Sequence, residues 1–196
     1  ARMGLAARST DKLASLAEEL SQQNHTPLVL TTDMRDAKAV HKMVDDTLSH
    51  FGRLDILINN AGQAAAGTIA DVNPDDFHSI LDLNVFGPLH AMQAVIPEMR
   101  QQGGGLIINV SSMVSKMHIP GLGAYAATKS ALNMLSDTAR GELADQNIRV
   151  ITVYPRLTAT DFGKNSIGNR QMRAGQRSSA PASMPVDTPE WVAERI

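Results

Sequence analysis

Apolar residues gather in five short runs, at 3–7, 27–31, 54–58, 106–110 and 150–154. They are apolar on consecutive positions, the mark of strands covered on both faces. Segments with helical spacing lie between them. Residues 11–23 place Leu13, Leu16, Ala17 and Leu20 on one face, and 36–50 do the same with Ala39, Val40, Met43, Val44 and Leu48. The long stretch 74–101 is interrupted at Asn84 and at Gly87-Pro88, which predicts a kink or two helices. Residues 124–145 carry Ala127, Ala131, Leu132, Leu135 and Ala139. Strand–helix alternation of this kind predicts an α/β fold with a doubly wound parallel sheet.

Beyond Thr160 the pattern fades. Residues 161–187 are polar, rich in Ser, Pro and Gly and without clear period. A loop of that length is expected to be a lid or binding loop, or else disordered. A Thr188-Pro189-Glu190 capping pattern then restarts a helix, within which the chain ends at Ile196.

Composition narrows the function classes. The chain has 196 residues, enough for one domain with a substantial core, here expected to span 1–196. A net charge of −2 gives no electrostatic reason to expect nucleic acid or an anionic membrane as partner. No apolar stretch approaches the roughly 20 residues that cross a bilayer. With no cysteine and six scattered histidines, neither a disulfide framework nor a zinc site is expected, and a cytoplasmic location is.

In open α/β sheets, ligands bind beyond the carboxyl ends of the strands. The five exits read Arg8-Ser9, Thr32-Asp33-Met34, Asn59-Asn60-Ala61-Gly62, Ser111-Ser112 and Pro155 through Thr160. All are small, polar or charged, which suggests a crevice along one sheet edge. Each has a plainer reading. Asn-Asn-Ala-Gly is an ordinary turn or a place where backbone approaches a flat or phosphorylated ligand. Arg8 is a surface charge or, in a dinucleotide fold, the residue that accommodates a 2′-phosphate where a carboxylate would hold a ribose hydroxyl. Asp33 caps the following helix or accepts from an adenine amino group.

Tyr125 and Lys129 are four apart on a helical segment and so share a face. An ammonium about 5 Å from the phenol, at an effective dielectric near 20, is worth roughly 3 kcal/mol, enough to lower its pKa by about 2. The positive end of the helix dipole pushes the same way. Ser112 would then steady a carbonyl or alcohol oxygen opposite the phenol. Singly, each of these residues has a structural explanation; together they suggest acid–base chemistry.

At this point the residues resemble the short-chain dehydrogenase/reductase family, from AARSTDKLASLAEEL to DTPEWVAERI. The most specific feature is Ser112, Tyr125 thirteen positions on, and Lys129; Asn59-Asn60-Ala61-Gly62, Asn84 in LDLNVFG and Tyr154-Pro155 leading to Thr160 support it. The resemblance implies a Rossmann-like three-layer α/β/α fold and hydride transfer between a carbonyl and an alcohol. Tyr125 would be the general acid/base and Ser112 would orient the substrate oxygen. Lys129 would hold the nicotinamide ribose, and Asn84 would keep a water in a proton relay. Asp33 and the Met34 backbone would meet adenine, with Asn60, Ala61 and Gly62 lining the adenosine side. Pro155, Thr158 and Thr160 would flank the nicotinamide carboxamide, and 161–187 would be the substrate lid. Arg8 and Ser9 imply NADP rather than NAD. The family commonly assembles as dimers or tetramers, so a homodimer or homotetramer is expected.

Arg156 stands where the family usually has Gly, and Thr158 where Val or Ile is commoner. The family's opening strand, Gly-rich turn and helix are not found ahead of ARMGLAARS, nor is a final strand after 196. The opening strand would lie between the first and third runs. The chain is therefore expected to be part of a longer polypeptide, testable as an intact mass above 21.0 kDa. A catalytically silent nucleotide-binding protein is the rival reading.

Overall fold

The structure, a computed structural model, describes residues 1–168 and 186–196. Strand β1 (Gly4–Ala7) passes through helix α1 (Thr10–Gln22) to β2 (Leu28–Thr31), its parallel neighbour. Helix α2 (Ala37–Phe51) follows, then β3 (Ile56–Asn59), the short β4 (Ala65–Ala66), α3 (Pro74–Leu81) and α4 (Gly87–Gln101). Strand β5 (Gly105–Val110), α5 (Gly123–Leu143), β6 (Ile148–Val153), β7 (Ile167–Gly168) and a last helix, α6 (Pro189–Ala193), complete the described strands and α-helices. Most of the expected lid, residues 169–185, lies outside the described residues.

The expected strands form, all parallel, in two hydrogen-bonded groups: β1–β2 and β3–β5–β6. No strand pairing joins β1 to β3 among the described residues, and the sheet divides between the first and third apolar runs. A third small pair, β4 with β7, ties Ala65–Ala66 to Ile167–Gly168.

One side of the sheet carries the main core. Leu30, Leu57, Ile107, Ile148 and Val150 pack there on Val40 and Val44 of α2, Val95 and Met99 of α4, and Leu143 of α5. Each fully buried aliphatic side chain contributes about 1.5–3 kcal/mol. Helix α1 lies on the other side: the Thr10 and Thr31 hydroxyls meet at 3.1 Å, and Thr31 points opposite to Leu30. The expected double cover is not continuous along the described sheet. Ile56 and Ile58, alternating with buried Leu57 and Asn59, are 54% and 50% exposed.

Helix ends follow their local chemistry. The Asp36 carboxylate caps α2 through Lys38 N and Ala39 N, and Gly52, at φ 76°, ends it in the left-handed region. Asn73 caps α3 ahead of Pro74. The interruption expected within 74–101 is a π turn over Asp82–Phe86 inside a helix that continues into α4, with Pro88, which lacks an N–H for the ladder, two residues after it.

Candidate active site

Ser111 and Ser112 continue from the end of β5. Ser111 N donates to Val153 O at 2.8 Å, so the exit stays aligned with β6. Ser112 caps a short 3₁₀ helix, Met113–Lys116, through a bond from Val114 N to its Oγ at 3.2 Å. With that lone pair engaged, the hydroxyl hydrogen is free to point at Tyr125, and a hydrogen bond from Ser112 does lower the phenol's pKa. Burial acts in the opposite direction and dominates, so the Tyr125 pKa lies above its ordinary value.

This corrects the electrostatic expectation from the sequence. Lys129 contributes nothing to the tyrosine's shift; its Nζ donates instead to Val110 O at 2.8 Å. Four-residue spacing puts two side chains on one helix face but does not aim the ammonium. Lys129 is itself 3% exposed, and burial without a carboxylate partner among the described residues lowers its pKa to about 8.

The π turn aims Asn84 into the same place. Its Nδ2 donates to Gln63 O at 2.8 Å and to Thr128 Oγ1 at 3.0 Å, while its Oδ1 accepts from Gln63 N at 2.9 Å. Thr128 in turn donates to Tyr125 O at 2.8 Å. Gly62 completes the cluster: a Cβ there would lie 3.3 Å from Asn84 Oδ1 and 3.4 Å from Lys129 Nζ. The structure thus brings Gly62, Asn84, Ser112, Tyr125 and Lys129 together.

Of the remaining expected residues, Arg8 and Ser9 border a cavity, and the others lie at the strand exits without lining it. Arg8, Ser9, Lys12, Gly62, Gln63 and Asn165 surround a cavity of about 270 Å³. Ser9 begins α1 without capping it, which leaves its hydroxyl available beside two cations. Asp33 does not cap α2, since Asp36 does. Its carboxylate is gripped by Arg35, from Nε at 3.0 Å and Nη2 at 2.5 Å, which holds its pKa below the usual range with a smaller contribution from Arg8. Met34 is buried, while Asn60 and Ala61 are exposed at the β3 exit. Pro155 O accepts from Met113 N at 3.0 Å, which brings the β6 exit beside Ser112. The Thr158 hydroxyl donates to Arg156 O, and the Thr160 hydroxyl accepts from Phe162 N; neither is aimed at Tyr125 by these bonds.

Three contributions escaped the sequence reading. Phe162 packs its ring against Tyr125, with centroids 5.7 Å apart. Asn133, one turn beyond Lys129, donates to Ser115 Oγ at 2.9 Å, and Ser115 Oγ donates to Ser112 O at 2.7 Å. A buried chain runs from Asn59 Nδ2 to Asn109 Oδ1, and from Asn109 Nδ2 to Ser136 Oγ, each at 2.8 Å. It locks β3, β5 and α5 in register beneath the site. Asparagines at corresponding positions of adjacent runs, Ile58-Asn59 and Ile108-Asn109, were the available signal. A larger cavity of about 530 Å³, lined by Arg53, Asp55 and Asn147, opens at the amino ends of the strands, away from this chemistry.

A nicotinamide dinucleotide fits these donors. The Lys129 ammonium makes one hydrogen bond among the described residues while it carries three donors, and Gly62 leaves space beside it for a ribose. No described helix is long and apolar enough to cross a membrane, and no cluster of metal-ligating residues occurs among the described residues.

The chain is similar to known proteins in sequence and in fold. The chain is 34% identical over 201 residues to dehydrogenase/reductase SDR family member 7B of Xenopus tropicalis, covering 100% of this chain and 64% of that protein. It spans 53% of the length of the mouse form, Mus musculus. A gluconate 5-dehydrogenase from Burkholderia cenocepacia in complex with NADP and tartrate superposes with a TM-score of 0.79 at 29% identity, over 84% of this chain and 64% of that one. A 7α-hydroxysteroid dehydrogenase complexed with NADH and 7-oxo glycochenodeoxycholic acid gives 0.86 at 26% identity, over 99% and 75%. A family model described as short chain dehydrogenase matches residues 1–171, which include Ser112, Tyr125, Lys129 and Asn84. With that match over most of its length, the chain belongs to the short chain dehydrogenase family.

Proposed function

We propose that the protein containing this chain is an NADP-dependent oxidoreductase that interconverts a carbonyl and an alcohol, with Tyr125 as general acid/base. The observation that carries this reading is the Ser112 side chain placed to act on the Tyr125 phenol, beside the buried Lys129 ammonium anchored on Val110 O. When bound, the nicotinamide supplies or accepts the hydride. Lys129 Nζ, anchored on Val110 O, keeps further donors for ribose hydroxyls, and Gly62 leaves them room. The raised pKa of Tyr125 keeps the phenol protonated at neutral pH, the state that donates to a carbonyl oxygen. Ser112 gives the second hydrogen bond to that oxygen. Asn84, with both its amide groups engaged, holds the loop at Gln63 against α5 beside Lys129.

Arg8 and Lys12 beside the uncapped Ser9 hydroxyl favour NADP, because a 2′-phosphate would meet two cations at the start of α1. The same chemistry with NAD is the second reading; Asp33, the nearest carboxylate on β2's exit, is already held by Arg35. The reaction would proceed in the cytoplasm, in a homodimer or homotetramer.

Hydride transfer from NADPH and NADH to a panel of aldehydes and ketones tests this in the full-length protein. Tyr125→Phe is expected to abolish turnover while dinucleotide binding persists, and Arg8→Ala with Lys12→Ala to erode the preference for NADPH. Undiminished turnover by Tyr125→Phe removes the mechanism. Dinucleotide binding with no turnover on any substrate favours the silent rival.

A further inference from the structure

We propose that Arg156, Asp187 and Trp191 form a clasp that fixes residues 155–160 beside the Ser112 turn, making Arg156 a positioning residue for hydride transfer. The proposal rests on the reading above that Pro155, Thr158 and Thr160 flank the nicotinamide. It also accounts for the arginine found where a glycine is expected.

Arg156 leaves the end of β6 and reaches Asp187, 31 residues away, with Nε 3.1 Å from Oδ2 and Nη2 2.8 Å from Oδ1. This fork-to-carboxylate geometry constrains direction as well as distance. Asp187 is 8% exposed, so its carboxylate depends on that partner. The guanidinium also lies over Trp191, Cζ 5.7 Å from the ring centroid, and Arg195 covers the same ring at 3.8 Å.

The backbone extends the contact. Asp187 N donates to Leu157 O and Ala159 N donates to Asp187 O, both at 2.9 Å, forming a parallel bridge opposite Thr158. The segment's other flank is tied to the catalytic turn, through Met113 N to Pro155 O at 3.0 Å. Residues 155–160 are therefore held between the Ser112 turn and Asp187, and Arg156 is the side chain that closes the second flank. Without it the buried carboxylate loses its cation and two backbone bonds remain to hold the segment. Dinucleotide binding would then have to order residues that the clasp keeps in place.

The test uses the full-length protein in five forms: wild type, Arg156→Gln, Asp187→Asn, the double variant and Arg156→Lys. The readouts are the dissociation constants for NADPH and NADH by fluorescence titration, kcat and KM, and the melting temperature. Either single change is expected to weaken dinucleotide binding about 10-fold, with the double variant no worse than the weaker single. Arg156→Lys, which keeps the charge and loses the fork, should fall between them and wild type, and it keeps the test open should a single variant not fold. Single effects that multiply in the double, or a lowered melting temperature with unchanged binding, would overturn the clasp alone. A wild type that binds neither dinucleotide overturns the reading beneath it, and the proposal with it.

Discussion

Lys129 Nζ donates to Val110 O at 2.8 Å, a bond that joins the middle of α5 to the last residue of β5. It fixes a cation in the floor of the crevice without a carboxylate among the described residues to balance it, and burial brings the lysine's pKa from 10.5 to about 8. The folded protein therefore releases this proton at lower pH than the unfolded chain does.

The consequence is a stability slope of known sign. Between about pH 8 and 10.5 the unfolded state holds more protons at Lys129, so stability rises with pH across that window, by about 3 kcal/mol in all. Lys129→Met should flatten the slope, read from denaturant midpoints at pH 7.5, 8.5 and 9.5. Parallel curves for the two proteins would show that the lysine is not desolvated as described.

Asn133 should matter to turnover more than to folding. It braces Ser115, which braces the Ser112 carbonyl, so Asn133→Ala is expected to lower kcat about 10-fold with the KM for dinucleotide little changed. Ser115→Ala should act alike, and the double variant should add nothing, because both act through one chain. A loss confined to melting temperature would make Asn133 a packing residue only.

At Gly62 close neighbours, rather than backbone conformation, weigh against a side chain. A methyl there would crowd Asn84 Oδ1 and Lys129 Nζ at 3.3 and 3.4 Å, so Gly62→Ala should cost about 1–3 kcal/mol of stability and disturb the site. Chemical denaturation and dinucleotide titration read the two effects separately. An alanine variant indistinguishable from wild type in both would mean that the cluster has slack.

What the sequence made legible follows from periodicity and spacing. The run at 106–110 became β5 and 150–154 the end of β6, because buried parallel strands are apolar on every position. Tyr125 and Lys129 were visible as a pair because helical spacing puts them on one face, and Ser112 joined them as a strand-end hydroxyl through the family resemblance. Direction was not. Nothing in four-residue spacing says that the ammonium turns to Val110 O, or that Asp36 rather than Asp33 caps α2. Strands β4 and β7 were missed because two residues have no period to detect. The Arg156–Asp187 pair joins residues far apart in the chain, beyond the reach of any local pattern.

The π turn at Asp82–Phe86 has one residue more than an α-helical ladder accommodates. That surplus gives α3 and α4 an angular offset of about 100°, the rotation per residue of an α-helix. With the offset, Ile80 faces the apolar cluster around Ala65 and Ala124, Val95 faces the sheet, and Asn84 meets Gln63 and Thr128. Deleting any one residue between Asp82 and Phe86 would cancel it and leave the three side chains unable to reach their places at once. A shortened turn would thus be more damaging than replacing any one of them.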